Sequence, residues 1–289
     1  MRQPVLLIRG KSIAETWEKS LVALWKKGIS VKTEYDRAAD PASRDATVIL
    51  VVRQPLAEPR IHLGFPGGLE DLEKYRQEVV LGIHDHWIDP TEGKWTYTYH
   101  SRLFNYSLPE NPDKKVNQID LLVEKLAAVP YTRRAQAITW IPFTDPLTDD
   151  PPCLQRIWCR LLKSEEGEYS LVMNTHWRSR DAYRAAFMNL FGLTELQREI
   201  ARRVSEKIGN PVHLGQYTEM IDSYHIYGES FTDFTARFLP LLGKRRFYDR
   251  ERLKSRTLRS DDPVVTESVA YARCLLEKEK ESGQRGRLF

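Results

Sequence analysis

Cysteine is scarce: Cys153, Cys159 and Cys274 are the only three in 289 residues. An odd number without paired spacing excludes a disulfide framework and points to a reducing compartment. Cys153 and Cys159 form no CxxC knuckle, and His62, His84 and His86 lack a third close partner, so no metal site is expected. A complete P-loop is missing too. Gly10-Lys11-Ser12 ends like one, but the earlier glycine is absent and a helix cap explains the serine. No apolar run approaches bilayer length, and the patch in residues 1–10 is too short for a signal sequence or a span. A cytoplasmic protein is therefore expected. Charge of one sign is lacking as well. Lys and Arg number 44 against 40 Asp and Glu, for a net +4, which is no nucleic-acid footprint by itself. Neither an internal repeat nor a low-complexity tract breaks the chain.

What is present is the pattern of a globular chain. Hydrophobic residues make up 41% and charged residues 29%, so a sizeable core is possible. Ser12 and Glu15 read as a capping box, and Ile13, Trp17, Leu21, Leu24 and Trp25 follow at helical spacing, so residues 12–27 are expected as a helix. Thr47 to Val52 is a β-branched run expected as a buried strand. After a loop at 55–68, helical periodicity returns over 69–81. Residues 95–99 alternate like a strand, 109–115 are turn-prone, and 116–128 read as a helix ended by Pro130. Strands are expected at 135–141, 154–162 and 169–174, with Gly167 marking a hairpin. A long helix is expected over 179–208. Phe231, Phe234 and Phe238 suggest helical turns, 261–280 a terminal helix, and 281–289 a loose tail. Strands and helices in irregular order imply an α+β fold rather than repeated βαβ units. With no convincing linker, one domain over 1–289 is expected.

Chemistry-bearing residues concentrate in the second half. Cys153 follows Pro151-Pro152. Arg133-Arg134 stand upstream; Arg178-Ser179-Arg180-Asp181, Asn189 and His225-Ile226-Tyr227 stand downstream. Taken singly, each has a bland reading: a buried thiol, a solvated arginine, a satisfied amide, a packed aromatic. Taken together they supply one nucleophile, several fixed cations, one amide and a His/Tyr pair. A thiol attacks as thiolate, and nearby arginines favour that form. Guanidinium forks match phosphate oxygens. Placed at the head of the expected long helix, Arg178 and Ser179 would gain its positive end. An amide such as Asn189 presents donor and acceptor to a pyrimidine edge. On a strand, His225 and Tyr227 share a face.

This ordered set resembles the thymidylate synthase family, in its archaeal form, from about Ser43 to Tyr227. Thr132-Arg133-Arg134, Pro151-Pro152-Cys153, Arg178-Ser179-Arg180-Asp181 with Asn189, and His225-Ile226-Tyr227 carry the likeness. Ser43-Arg44-Asp45-Ala46-Thr47, Tyr97-Thr98-Tyr99-His100-Ser101-Arg102 and Ile119-Asp120-Leu121-Leu122 extend it.

The resemblance implies an α+β, three-layer fold with a large mixed sheet flanked by helices, paired back to back in a homodimer. It implies reductive methylation of dUMP to dTMP, with 5,10-methylenetetrahydrofolate as co-substrate and no metal. Cys153 would add to C6 of the pyrimidine. Arg44, Arg178 and Ser179 would hold the phosphate, joined by Arg133 and Arg134 from the other subunit. Asn189 would read the base, and His225 and Tyr227 the deoxyribose. Asp181 would meet the pterin, with His84 and Trp87 on the folate side. Glu58 is taken as the acid–base glutamate and Tyr97 as a catalytic-site tyrosine. Trp177, Leu154 and Arg184-Ala185 depart from the family pattern, mostly on the folate side. A pyrimidine-nucleotide 5-hydroxymethylase is therefore a second reading, and a non-catalytic nucleotide- or RNA-binding relative a third. Neither a membrane nor an obligatory nucleic acid is expected as partner.

Overall fold

The computed structural model describes residues 2–89, 92 and 95–282. The chain opens with β1 (Val5–Gly10), α1 (Ile13–Lys27), β2 (Ile29–Val31) and β3 (Ser43–Val52). Short β4 (Ile61–His62) leads to α2 (Leu69–Leu81) and α3 (Tyr99–Phe104). The hairpin of β5 (Tyr106–Leu108) and β6 (Asn111–Val116), then α4 (Gln118–Ala128) and β7 (Gln136–Ile138), follow. Next come β8 (Leu154–Lys163), β9 (Tyr169–Asp181), α5 (Ala186–Ile208) and β10 (Val212–Ile226). A helical stretch at 228–244, β11 (Thr257–Leu258) and α6 (Pro263–Ser282) complete the described chain.

The fold is α+β, a mixed sheet flanked by helices. Its main sheet runs β1-β3-β10-β9-β8-β7, with β2 beside β3. β1 is parallel to β3 and β10 to β9, while the other pairings are antiparallel. Register separates the two faces. Ile8, Leu50, Glu219, Thr175, Ile157 and Ala137 form one row across the sheet. All but Ile8 are buried, and this is the core face. The neighbouring row, Leu7, Ile49, Met220, His176, Arg156 and Ile138, points the other way. Leu7, Met220 and Ile138 remain exposed there.

Helix α1 forms as its sequence dictates: Ser12 caps it by accepting from Glu15 N–H, and Ile13, Trp17, Leu21 and Leu24 are buried. Full burial of each large side chain is worth about 1.5–3 kcal/mol. Trp17 packs on Phe187 of α5 and Phe238, with ring centroids 5.2 and 5.3 Å apart. Among the described residues no helix is long and apolar enough to cross a membrane.

Four local expectations change, one of them at 109–115, where the turn-prone stretch carries strand β6 of a hairpin. Residues 95–99 are not a strand: Thr98 forms a capping box with Ser101 and starts α3 at Tyr99, so local capping overrides alternation. Residues 179–181 belong to β9, not to the long helix. Ser179, Arg180 and Asp181 lie in register with Ser223, Tyr224 and His225 of β10. Arg178 and Ser179 therefore have no helix dipole behind them, and α5 begins only at Ala186. Residues 1–10, read only as an apolar patch, contain an edge strand. Of the expected tail, residues 283–289 lie outside the described residues.

Candidate active site

Cys153 stands immediately before β8, at the end of the Pro151-Pro152 turn. Its carbonyl accepts the Arg178 backbone N–H at 2.9 Å, tying the turn to β9. The Arg178 side chain returns to the same turn: Nε donates to Pro152 O at 3.1 Å and Nη2 to Pro151 O at 2.5 Å. The thiol itself is largely enclosed. Burial pushes it above the usual cysteine range; Arg178 and Arg180 oppose that rise and Asp150 adds to it. The arginines do favour the thiolate, as the sequence implied, but desolvation is the larger effect.

Two tyrosines wall one side. Tyr99 Oη accepts the Leu154 N–H at 3.4 Å, and its ring lies 5.8 Å from that of Tyr97. Burial holds both phenols well above their ordinary range, and the charge of a Cys153 thiolate would raise them further. They are therefore neutral donors at any physiological pH. With Glu78, Trp95, Thr96, Thr98 and Asp150 they line a cavity of about 230 Å³. Glu78 Oε2 lies 2.9 Å from His84 Nδ1. His84 is buried and stacks on Trp87 at 4.0 Å.

On the other side stand Tyr35, Asp181, His225 and Tyr227. The His225 and Tyr227 rings are 4.4 Å apart and those of Tyr35 and Tyr227 6.3 Å apart. Burial raises the Tyr227 phenol, with Asp181, Tyr35 and Cys153 adding to the rise. Burial also pushes the Asp181 carboxyl up, against the backbone N–H groups of Arg184 and Tyr183 and the nearby His225. From α5, the Asn189 side-chain amide donates to Tyr75 Oη. Tyr75 is itself close enough to Tyr99, Glu78 and Arg180 to feel their charge.

The site thus holds a largely enclosed thiol under the influence of two guanidiniums and close to neutral phenols. The family model described as thymidylate synthase matches residues 63–246. The chain belongs to the thymidylate synthase family. It is 30% identical over 241 residues to a Methanocaldococcus jannaschii protein named "Putative thymidylate synthase", covering 82% of this chain and 97% of that one. A protein of the same name from Methanosarcina acetivorans is 29% identical over 221 residues, 76% of this chain and 89% of its own. The solved thermostable thymidylate synthase A of Bacillus subtilis superposes with a TM-score of 0.56. At 20% identity over 78% of this chain and 83% of that chain, it shows the fold.

Within this thymidylate synthase fold, Cys153 lies near Arg178, Tyr97 and Tyr227, His225 and Asp181 lie near Tyr227, and Asn189 is bonded to Tyr75. Ser179 is partly buried on β9 opposite Ser223. The remaining expected residues make other contacts. The Glu58 carboxylate accepts the N–H groups of Arg60 at 3.0 Å and Ser260 at 3.2 Å, so it is engaged in holding the chain near β11. Arg44 Nη1 donates to Gly28 O at 3.1 Å and its guanidinium lies 5.8 Å from the Trp25 ring. That anchors it to the end of α1. Arg133 and Arg134 are exposed before β7. His84 and Trp87 sit behind the cavity wall, where Trp87 Nε1 donates to Glu279 at 2.9 Å.

Sequence reasoning missed Tyr35, Tyr75, Glu78 and Asp150, and quoted Tyr99 only as part of the segment from Tyr97 to Arg102. Tyr75 and Glu78 are three apart on α2 and so share a helix face. That spacing was a usable signal; a lone glutamate near a glycine pair was not.

Proposed function

We propose that this chain is a thymidylate synthase that reductively methylates dUMP to dTMP, with 5,10-methylenetetrahydrofolate as the one-carbon and hydride donor. The observation that carries the reading is the placement of Cys153. One arginine fixes its turn through three hydrogen bonds, and the carboxylate of Asp150 and the phenols of Tyr97, Tyr99 and Tyr227 lie close enough to interact with its thiol.

In this reading the Cys153 thiolate adds to C6 of the uracil, which makes C5 nucleophilic. Charge develops at O4, and Asn189 is positioned by Tyr75 to donate to it. Glu78, rather than Glu58, is the acid–base carboxylate, because it lines the cavity beside Tyr97 and Tyr99. Arg178 keeps Nη1 free of the turn for the nucleotide phosphate. Arg37 joins it in place of Arg44. It is exposed and lies two residues from Tyr35, which packs by Tyr227. His225 and Tyr227 hold the sugar. Remote phosphate contacts can thus orient C5 and C6.

The folate would supply the one-carbon unit and the hydride. The cavity suits a pterin in kind, with Trp95 and Tyr97 as flat walls and Glu78 and Asp150 as acceptors. The partly exposed sheet row of Leu7, Met220 and Ile138 supports a homodimer joined through that face. Exposed Arg133 and Arg134 are free to serve the partner's nucleotide in such a dimer.

The test is the product formed from dUMP and 5,10-methylenetetrahydrofolate. The expected result is dTMP with an equal amount of dihydrofolate. Hydroxymethyl-dUMP without dihydrofolate would overturn methyl transfer, and no product together with retained RNA binding would overturn catalysis.

A further inference from the structure

Arg180 and Glu219 form an ion pair in the floor of the site. Arg180 is 2% exposed and Glu219 0%, and Nη1 and Oε2 are 2.5 Å apart. Arg180 Nη2 donates to Ala186 O at 2.9 Å, and the guanidinium lies 4.0 Å from the centre of the Trp177 ring. On the far side Tyr217 Oη donates to Glu219 Oε1 at 2.7 Å. Trp177 Nε1 donates to Thr175 Oγ1 at 2.9 Å, and that hydroxyl meets Tyr217 Oη at 3.3 Å. The Trp177 ring in turn stands edge-on to Tyr99 at 5.8 Å. Its register partner on β8 is Leu154, the residue after Cys153. Guanidinium, indole and phenol therefore form a packed column leading from Glu219 to the cysteine turn.

Stability does not account for this pair. Desolvating two charges is expensive, and apolar residues of similar volume are often neutral or stabilising in such places. Here the pairing is also incomplete: Arg180 Nε and Nη1 and Glu219 Oε2 have no well-aligned hydrogen bond. What the pair does provide is a cation that cannot move. Burial raises Cys153, Tyr99 and Tyr75 alike, and Arg180 opposes the rise at all three.

We propose that Arg180, braced by Glu219 and Trp177, is a positioning residue for the Cys153 thiol: a fixed cation in the floor that favours the thiolate, with Glu219 setting how much of that charge the thiol feels. This rests on Cys153 being the nucleophile. The other groups that act on the thiol are the guanidinium of Arg178, the carboxylate of Asp150 and the phenols of Tyr35, Tyr97, Tyr99 and Tyr227. Of the charged ones, Arg178 and Asp150 stand beside the turn, whereas Arg180 acts from beneath.

The experiment is the pH dependence of iodoacetamide labelling of Cys153 in the full chain, read as the mass of its peptide. A Cys274→Ser background removes the exposed thiol. Arg180→Met should slow labelling at neutral pH by about tenfold and move its midpoint upward. Glu219→Gln, which is isosteric, should move the midpoint downward and speed labelling. Arg180→Lys, which keeps the charge, should restore at least part of the rate. Arg180→Met with Glu219→Leu should melt near the wild-type temperature yet label slowly. Superimposable profiles for wild type, Arg180→Met and Glu219→Gln overturn the proposal, as does slower labelling in a folded Glu219→Gln protein. If Arg180→Met does not fold, Glu219→Gln decides alone. Full dUMP turnover by Cys153→Ser would instead remove the nucleophile assignment, whatever the labelling shows.

Discussion

Arg178 holds Cys153 from two directions: its backbone N–H reaches the Cys153 carbonyl at 2.9 Å, and its guanidinium grips the two prolyl carbonyls just before it. The turn carrying the thiol is thereby fixed without using the thiol itself. Cys153→Ser should leave this scaffold intact, since all three bonds involve backbone carbonyls. The expected outcome is a loss of turnover of at least about a thousandfold, because the hydroxyl is a far weaker nucleophile. Affinity for dUMP, measured by calorimetry, should stay within about tenfold. Turnover near the wild-type rate would remove the covalent step.

Glu78 and Glu58 give opposite expectations. Glu78 faces the cavity beside Tyr97 and Tyr99 and meets His84 at 2.9 Å. Glu58 is engaged by two backbone N–H groups near β11. Glu78→Gln should lower kcat by about 100-fold or more, the scale of a lost general acid or base, with little change in melting temperature. Glu58→Gln should leave kcat almost unchanged and cost about 1 kcal/mol of stability through weakened loop contacts. Steady-state kinetics beside urea melts separate the two, and the reverse pattern would restore Glu58 to the chemistry.

The sequence made some of this legible and hid the rest for physical reasons. Strong periodicity and a capping serine exposed α1, and the β-branched run exposed most of β3. Cys153, Arg178, Asp181, Asn189, His225 and Tyr227 were singled out because their order along the chain resembles that of a known family. Ser179 to Asp181 were misplaced on a helix because the pairing that keeps them extended comes from β10, over 40 residues downstream. Tyr99 was misplaced on a strand because Thr98 and Ser101 cap a helix there. Glu58 was taken on its place shortly before a glycine pair, and Glu78 was not considered, because such proximity says nothing about which carboxylate faces a cavity. The Arg180–Glu219 pair joins residues 39 apart, and neither one alone signals a partner.

Asn189 tests base selection. The residue is 9% exposed, and its amide nitrogen donates to Tyr75 Oη. An amide offers donor and acceptor together, whereas a carboxylate offers only acceptors when ionised. Asn189→Asp should lower kcat/KM for dUMP and raise it for dCMP, whose exocyclic amine needs an acceptor. A change in their ratio of about 100-fold is expected from one mismatched buried hydrogen bond to a charged group. An unchanged ratio in competition assays would refute the assignment.

Glu18 offers a stability test away from the site. It lies on α1 and joins that helix to two other segments. Its Oε2 lies 2.9 Å from His62 Nε2 and 2.5 Å from Arg256 Nε, and Arg256 Nη2 donates to Oε1 at 2.9 Å. His62 Nδ1 accepts the Gly64 N–H, so Nε2 carries the proton it gives to Glu18. Burial opposes ionisation of Glu18, but the hydrogen bonds from His62 and Arg256 outweigh it and pull the carboxyl from 4.5 to about 2. A folded value below the unfolded one means that the stabilisation is complete above about pH 4.5. It is lost as the pH falls toward 2. Glu18→Gln should therefore destabilise the protein by about 2 kcal/mol at pH 7, after allowing for solvent screening of a partly exposed carboxylate. The gap between wild type and variant in urea melts should hold from pH 7 to 5 and narrow steadily by pH 3. A gap that stayed constant over that range would show that packing, not the carboxylate's charge, holds α1 to β4 and Arg256.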